Sequence, residues 1–400
     1  MSQRSDPAGT PRRRVLVVGA GIGGLTAALA LSQRGFEVHI IERAEALSEI
    51  GAGIQLSPNA TSVLLQLGLG EALAAVAVEP SAIVVRSGLT GAALAALPGA
   101  IFRARYGTPY LVIHRADLQQ VLLDAARRQP SVELHLGVSS TAHIDGNGEV
   151  RILGGALSEE SFDAVIGADG VRSTMRGLVP GGLPFAFADR TAWRALATAG
   201  AVGELASPDV VSAWLGPAGH LVCYPVRGGA DVNLVAVVEE AADHPGWGVD
   251  GDRLELARCF GAWSPRVRSL VAIPERWQKF SLMRVDASGS WVHGRLALLG
   301  DAAHAMLPFL AQGAAMAIED AAVIAHWLSS TIDVASALKG YEMERKSRVA
   351  RVAAAATLTG NRYHFTGAMA AVRDLALRVA GERLILGEVD WIYRWRPTDG

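Results

Sequence analysis

Residues 15–43 read VLVVGAGIGGLTAALALSQRGFEVHIIER, and this stretch decides the fold. Val15, Leu16, Val17 and Val18 make the continuous apolar run of a buried parallel strand, and Gly19, Gly21 and Gly24 follow at GxGxxG spacing. The first glycine permits a tight turn, the second lets backbone approach a pyrophosphate, and the third lets a helix pack closely on the strand, its N-terminus toward the phosphates. A second strand, Val38 to Ile41, ends in Glu42, 18 residues beyond Gly24. A carboxylate there suits a ribose hydroxyl pair and argues against a 2′-phosphate. Strand, glycines, helix, strand and acid in this order predict a dinucleotide-binding βαβ unit that holds NAD or FAD.

The chain around this unit has 400 residues, enough for two or three domains with a large core. Half of it is hydrophobic and 19% charged, which argues against long disordered regions. A formal net charge of −2 supplies no field to gather nucleic acid. Cys223 and Cys259 are too few for a disulfide framework and too far apart for a zinc knuckle, so the chain reads as cytoplasmic and reduced. Arg12, Arg13 and Arg14 before an apolar run mimic a secretory signal, but the glycines of the nucleotide loop interrupt that run, and residues 1–13 are expected to form a disordered tail. No uninterrupted apolar stretch is long enough for a membrane helix.

Downstream, Gly51–Asn59 reads as a flexible segment able to run close to a ligand, with Ser57 capping a helix from about Pro58 to Leu67. Residues 82–106 are hairpin-like. Tyr110–Ile113 reads as a strand entering a helix that begins near Arg115, where the helix dipole disfavours a cation and an anionic partner is expected. Strands follow at 132–136, 150–153 and 164–166, the last running into a second glycine turn, GADGVRS at 167–173, that opens a helix. From Pro184 to Phe280 short alternating strands predict a mostly antiparallel sheet. Parallel character returns at Arg295–Asp301, before a long helix from Gln312 to Leu328 and further helices over 332–380. The expected division is therefore an interrupted nucleotide domain (1–80, 107–183 and 284–330), a substrate domain (81–106 and 184–283) and a C-terminal helical region (331–400).

These pieces together resemble the single-component flavin-dependent aromatic hydroxylases of the p-hydroxybenzoate hydroxylase fold, within them the salicylate and 3-hydroxybenzoate hydroxylase-like branch. The likeness covers nearly the whole chain. GAGIGG with Glu42-Arg43, GADGVRS, GDAAH at 300–304 and the Leu307–Ala314 segment carry it, and Asp390-Trp391-Ile392-Tyr393 is similar to the salicylate-type tail. It implies an α/β fold: a Rossmann-like FAD-binding domain interrupted by a mostly antiparallel β-sheet substrate domain, with C-terminal helices. It implies non-covalent FAD, with Gly19, Gly21 and Gly24 at the pyrophosphate, Glu42 at the adenosine ribose and Arg43 on the adenine side. Gly53 and Val138 join the cofactor set; Arg115 meets the pyrophosphate or ribityl chain, as do Gly300 and Asp301, and Asp169 and Arg172 serve flavin and nicotinamide cofactor alike. Gln312, Gly313 and Ala314 open a helix whose free N–H groups can face the flavin N1 and C2 carbonyl. Ala311 replaces a common glycine of the relatives, and Ala315 an asparagine of some.

By the same resemblance NADH or NADPH reduces FAD, O2 adds at flavin C4a, and the distal oxygen of the hydroperoxide attacks an electron-rich ring. NADH is the favoured reductant. His220 and Tyr224 share one face of a strand with Cys223 on the other, and are the expected base for a phenol and donor to its phenolate or carboxylate. Gln55 lies on the loop beside the flavin, and His304 and Pro308 shape its pocket. Trp391 and Trp395 are expected to pack, and the remaining histidines lack metal-ligand spacing, so no metal is expected. The expected partners are a small aromatic acid or phenol, O2 and NAD(P)H, in a monomer or homodimer. Two other readings stand beside the monooxygenase: a flavin-dependent reductase or dehydrogenase on the same fold, and a non-catalytic FAD-binding sensor.

Overall fold

A computed structural model describes residues 13–47, 52–138, 141–144, 150–153, 157, 160–241, 243 and 248–397. Apart from Arg13, the expected N-terminal tail lies outside this set. The chain opens with β1 (Arg14–Val18), α1 (Ile22–Ser32) and β2 (Glu37–Glu42), the βαβ unit of the glycine spacing. Then come β3 (Gly53–Leu56), α2 (Pro58–Gln66), α3 (Gly70–Val76), β4 (Ala82–Ser87), β5 (Ala93–Pro98) and α4 (Ala100–Tyr106). β6 (Leu111–His114), α5 (Arg115–Arg127), β7 (Val132–Leu136), β8 (Thr141–Ile144), β9 (Val150–Leu153) and β10 (Ala164–Gly167) follow. The middle of the chain forms β11 (Phe185–Thr198), α6 (Ala199–Val202), β12 (Val210–Gly216), β13 (Gly219–Val226), β14 (Asp231–Glu239), β15 (Val249–Gly251), α7 (Arg253–Cys259), α8 (Pro265–Ala272) and β16 (Trp277–Val285). The remainder is β17 (Val292–His293), β18 (Leu296–Leu298), α9 (Asp301–His304), α10 (Gly313–Ser330), α11 (Val334–Tyr363) and α12 (Gly367–Tyr393).

Two large sheets organise these elements. A six-stranded sheet runs β17-β18-β10-β1-β2-β7, parallel throughout except where β17 meets β18. Its middle strands are apolar without alternation because both faces are covered. α1 packs against α5 and α10, and Ile22 and Gly24–Leu31 are all buried. The second sheet, eight-stranded, runs β15-β16-β11-β14-β13-β12-β4-β5 and is antiparallel except between β12 and β4. One face rests on α7 and α8 through a core containing Trp193, Trp214, Phe260, Trp263 and Trp277. Alternation along β13 sends Leu221 and Cys223 into that core and turns His220 and Tyr224 to the opposite face.

Four local expectations need correction. Gly53–Leu56, expected to be flexible, is a strand paired antiparallel with β6; Gly51 lies outside the described residues. Ser57 precedes α2 without a side-chain cap, because its hydroxyl bonds to the Asn59 side chain instead. The hairpin of 82–106 ends at Pro98, and Arg103 and Arg105 belong to helix α4. The GADGVRS turn opens only a four-residue 3-10 turn, Met175–Leu178.

Candidate active site

At the nucleotide end, Gly19 has φ +108°, and a Cβ there would fall 2.5 Å from the Ala168 carbonyl oxygen. At Gly24 a Cβ would fall 2.0 Å from the Gly19 oxygen, so close helix-to-turn packing requires glycine. Gly21 differs: nothing lies within 4 Å of a Cβ placed there, which leaves open space at the start of α1. The Glu42 carboxylate accepts the backbone N–H groups of Ala20 and Ala44, both at 3.0 Å, and keeps a lone pair on each oxygen for further donors. Val138 is tied to this corner by donating its N–H to the Glu42 carbonyl at 2.9 Å, and Arg43 is exposed beside it. Arg115 begins α5, where its backbone N–H bonds to Ala52.

The second glycine turn places Asp169 at the 3-10 turn. Its Oδ2 accepts the N–H groups of Thr174 (2.7 Å) and Met175 (3.2 Å), whereas Oδ1 is buried without a hydrogen-bond partner among the described residues. Arg172 is exposed; Arg176, unremarked in the sequence, is the buried arginine and donates to the carbonyls of Ala302 and Val171. Gly300 has φ +61° and lies just before exposed Asp301.

α10 begins at Gly313 after the turn Pro308–Leu310 and Ala311, which has φ +53°. The first α10 N–H groups have no intrahelical acceptor, and a Cβ at Gly313 would meet nothing within 4 Å, so there is open space beside the first turn at the positive helix end. The Gln312 side chain turns inward, donating to Ser57 Oγ at 2.9 Å and accepting from Asn59 Nδ2 at 3.0 Å. Beneath it, Glu319 and Asp320 of α10 pair with Arg345 of α11 at 2.6 and 2.7 Å, all three buried. His304 bonds Asp320 at 2.5 Å and rests against Trp291, which makes it part of this structural network. Trp391 and Trp395 pack over guanidinium groups, Arg351 lying 3.8 Å from the Trp391 ring centroid and Arg345 5.5 Å from that of Trp395.

On the sheet face opposite the tryptophan core, His220 is 4% exposed. Its Nδ1 lies 2.9 Å from His364 Nε2, and His364 Nδ1 lies 2.9 Å from Glu239 Oε1. Phe309 and Tyr363 contact the His220 ring edge-on. Burial, helped by His364 and Arg190, holds the His220 imidazole well below its ordinary pKa, so it is neutral. The Glu239 side chain is 48% exposed and borders a cavity of about 650 Å³ lined also by Arg190, Leu307 and Thr357. At the other end of the face, Tyr110 donates to Gln55 Oε1 at 2.6 Å. Burial raises the Tyr224 phenol, with Arg194 and Gln55 opposing. Gly53 packs on Tyr224 and bonds Asn233 at 2.7 Å, fastening β3 to the eight-stranded sheet. His364, Glu239 and Phe309 had no role in the sequence reading; His220 and His364 are 144 residues apart, and no local spacing joins them.

The open approach at Gly21, the carboxylate of Glu42, the buried unpaired oxygen of Asp169 and the uncovered N-terminus of α10 suit a dinucleotide that ends in a flavin. Together the fold and these residues define an FAD-dependent aromatic monooxygenase. A family model described as "FAD binding domain" matches residues 12–356, and the chain belongs to that family. It is 35% identical to a 3-hydroxybenzoate 6-hydroxylase of Polaromonas naphthalenivorans, covering 98% of this chain and 97% of the relative. It is 37% identical to a 3-amino-4-hydroxybenzoate 2-monooxygenase of Streptomyces platensis, with 96% of each covered. Among solved structures it superposes on Klebsiella pneumoniae HpxO complexed with FAD and uric acid with TM-score 0.84 at 28% identity, covering 96% and 97%. A salicylate hydroxylase substrate complex gives 0.81 at 25%, with 96% of each covered. Among the described residues no helix is long and apolar enough to cross a membrane.

Proposed function

We propose that the chain hydroxylates a small phenolic aromatic acid of the hydroxybenzoate or salicylate type, with His220 as the base for the ring hydroxyl. The observation that carries this reading is the chain from buried His220 through buried His364 to the exposed Glu239 carboxylate, on the sheet face that also presents Tyr224. Four residue steps of strand lead from His220 to Tyr224, about 13 Å between their Cα atoms. A meta- or para-hydroxybenzoate lying between them would turn its hydroxyl toward His220 and its carboxylate toward Tyr224, whereas a salicylate would present both groups on one side. The names of the hydroxybenzoate-oxidising relatives point the same way.

FAD, with NADH or NADPH as reductant, supplies the two electrons and activates the O2 whose oxygen atom enters the ring. Gly19, Gly21 and Gly24 would hold its pyrophosphate, Glu42 and Val138 its adenosine corner with Arg43 outside, and Arg115, Asp169, Gly300 and Asp301 its middle. Gly313 and Ala314 would offer backbone N–H groups to the flavin ring, with Gln312 acting through the Ser57–Asn59 network rather than by direct contact. Arg172, exposed, belongs to the nicotinamide side.

The protein's own part is proton handling and water exclusion. With Nδ1–H of His220 donated to His364, and Nδ1–H of His364 donated to Glu239, the His220 Nε2 lone pair is free to take a phenol proton. The positive charge that forms is stabilised through His364 by the Glu239 carboxylate, which hands the proton to the bordering cavity. Tyr110 occupies Gln55 Oε1, which leaves the Gln55 amide N–H groups to donate toward Tyr224 or a ligand. Pro308 starts the turn that sets Phe309 against His220 and keeps water from the ring. The reading includes a cytoplasmic protein that is a monomer or homodimer.

The test follows NADH and NADPH oxidation in air against salicylate, hydroxybenzoates and hydroxynicotinates, with product masses. A ring acid that stimulates oxidation and gains one oxygen atom is expected. Stimulation by none of them, or by larger uncharged phenols alone, contradicts the substrate assignment.

A further inference from the structure

The outer edge of the six-stranded sheet carries a group of ligating side chains that the flavin reaction does not use. In the parallel register of β2 and β7, His39 stands opposite Glu133, and His135 follows two residues on along the same face. Three donors converge there. His39 Nδ1 is 3.4 Å from His135 Nε2 and 3.6 Å from Glu133 Oε2, and His135 Nε2 is 3.5 Å from Glu133 Oε1. These separations exceed the ~2.9 Å of a good N–H hydrogen bond. The separation of the two nitrogens matches the edge of a tetrahedron, roughly 3.3–3.4 Å, around a zinc ion with bonds of about 2.0–2.1 Å, and one or other Glu133 oxygen supplies the third ligand.

The surroundings fit the same ion. His39 is 5% exposed, and its other nitrogen, Nε2, lies 3.0 Å from Glu37 Oε1. A carboxylate in that position fixes the tautomer of a metal-bound imidazole, leaving the Nδ1 lone pair turned inward. Arg14 also approaches Nε2, at 3.1 Å, but its charge is held by Glu37 at 2.9 Å and by Glu160. With neutral imidazoles, Glu37, Glu133 and Glu160 against Arg14 leave a formal charge of −2, the complement of a divalent cation.

We propose that His39, Glu133 and His135 bind a first-row divalent cation of the zinc class, with three protein ligands and a fourth position open to water. The ion clips β7 to β2, with His39 three residues before Glu42 and His135 three residues before Val138. The sequence conceals the site because its histidines lie on strands 96 residues apart.

The test uses the FAD-loaded full chain, free of any affinity tag and stripped with a chelator, titrated with zinc chloride by calorimetry and by thermal melting. One equivalent should bind and raise the Tm. Glu133→Gln, whose side chain is 64% exposed and carries no fold, should keep its FAD content and bind zinc at least ~10-fold more weakly, the loss typical of disturbing even an outer partner. His135→Gln should weaken binding similarly, and His326→Gln, outside the group, should not. No binding to the parent chain, or affinity unchanged in both Glu133→Gln and His135→Gln, overturns the proposal. Neither result touches the substrate assignment, which is read by product mass.

Discussion

His220 combines two properties rarely found together at a surface: it is buried without an immediate anion, and its proton has a continuous path outward. Because its pKa is depressed, His220 as the proposed base is already deprotonated at neutral pH, and activity should decline only as pH falls below the ordinary imidazole range, where His220 gains a proton. A profile of kcat/KM that instead declines from pH 8 to 7 would assign the limiting proton elsewhere. His220→Asn should lower hydroxylation by about 10²–10⁴-fold with FAD retained, and His364→Asn should lower it less while shifting the acid limb. Ala311 is the residue-scale exception to good local chemistry, an L-residue at φ +53° that costs roughly 1–2 kcal/mol. Ala311→Gly removes this strain but frees the unfolded chain by about 0.4–1 kcal/mol, so thermal melting should show stability unchanged or slightly higher.

At the scale of elements, the first turn and α10 make opposite demands. Gly19→Ala drives a methyl into the Ala168 carbonyl and should yield protein largely without flavin, measured as the absorbance ratio of flavin to protein. α10 is fastened to α11 by charge: removing one partner of a fully buried ion pair costs about 3–5 kcal/mol, so Arg345→Met should be destabilised by that order in denaturant. Burial opposes ionisation of Asp320, but His304 and Arg345 outweigh it and hold its pKa low. Its contribution to stability is therefore present above the unfolded carboxylate value and is lost as pH falls through the lower folded one. The βαβ unit, the β18 strand and α10 were legible in the sequence because period and glycine spacing are local. β3 was missed because its small residues signal mobility, and its pairing with β6 and anchoring on Tyr224 and Asn233 are tertiary. Helix α4 reads as strand in the sequence because seven residues carry too little periodicity to distinguish the two.

At the scale of the whole molecule, the proposed reaction centre falls between the two sheets. The parallel sheet supplies the glycine turns and the N-terminus of α10, and the antiparallel sheet supplies His220 and Tyr224. β3 and the C-terminal end of α11 close the space between them. The His220 and Tyr224 face could be read from strand alternation alone. His364 could not, since it caps a helix whose approach to β13 is set by the packing of Phe309 and Tyr363. The central claim is that this geometry deprotonates a small phenolic acid while flavin-activated oxygen enters the ring. It is tested most directly by supplying ¹⁸O2 with NADH and each hydroxybenzoate isomer to the parent chain and to His220→Asn, and measuring labelled product against H2O2. One ¹⁸O atom is expected in the ring product of the parent, and flavin-bound His220→Asn should consume NADH mainly to H2O2. Unlabelled product, or equal labelled product from the variant, would contradict it.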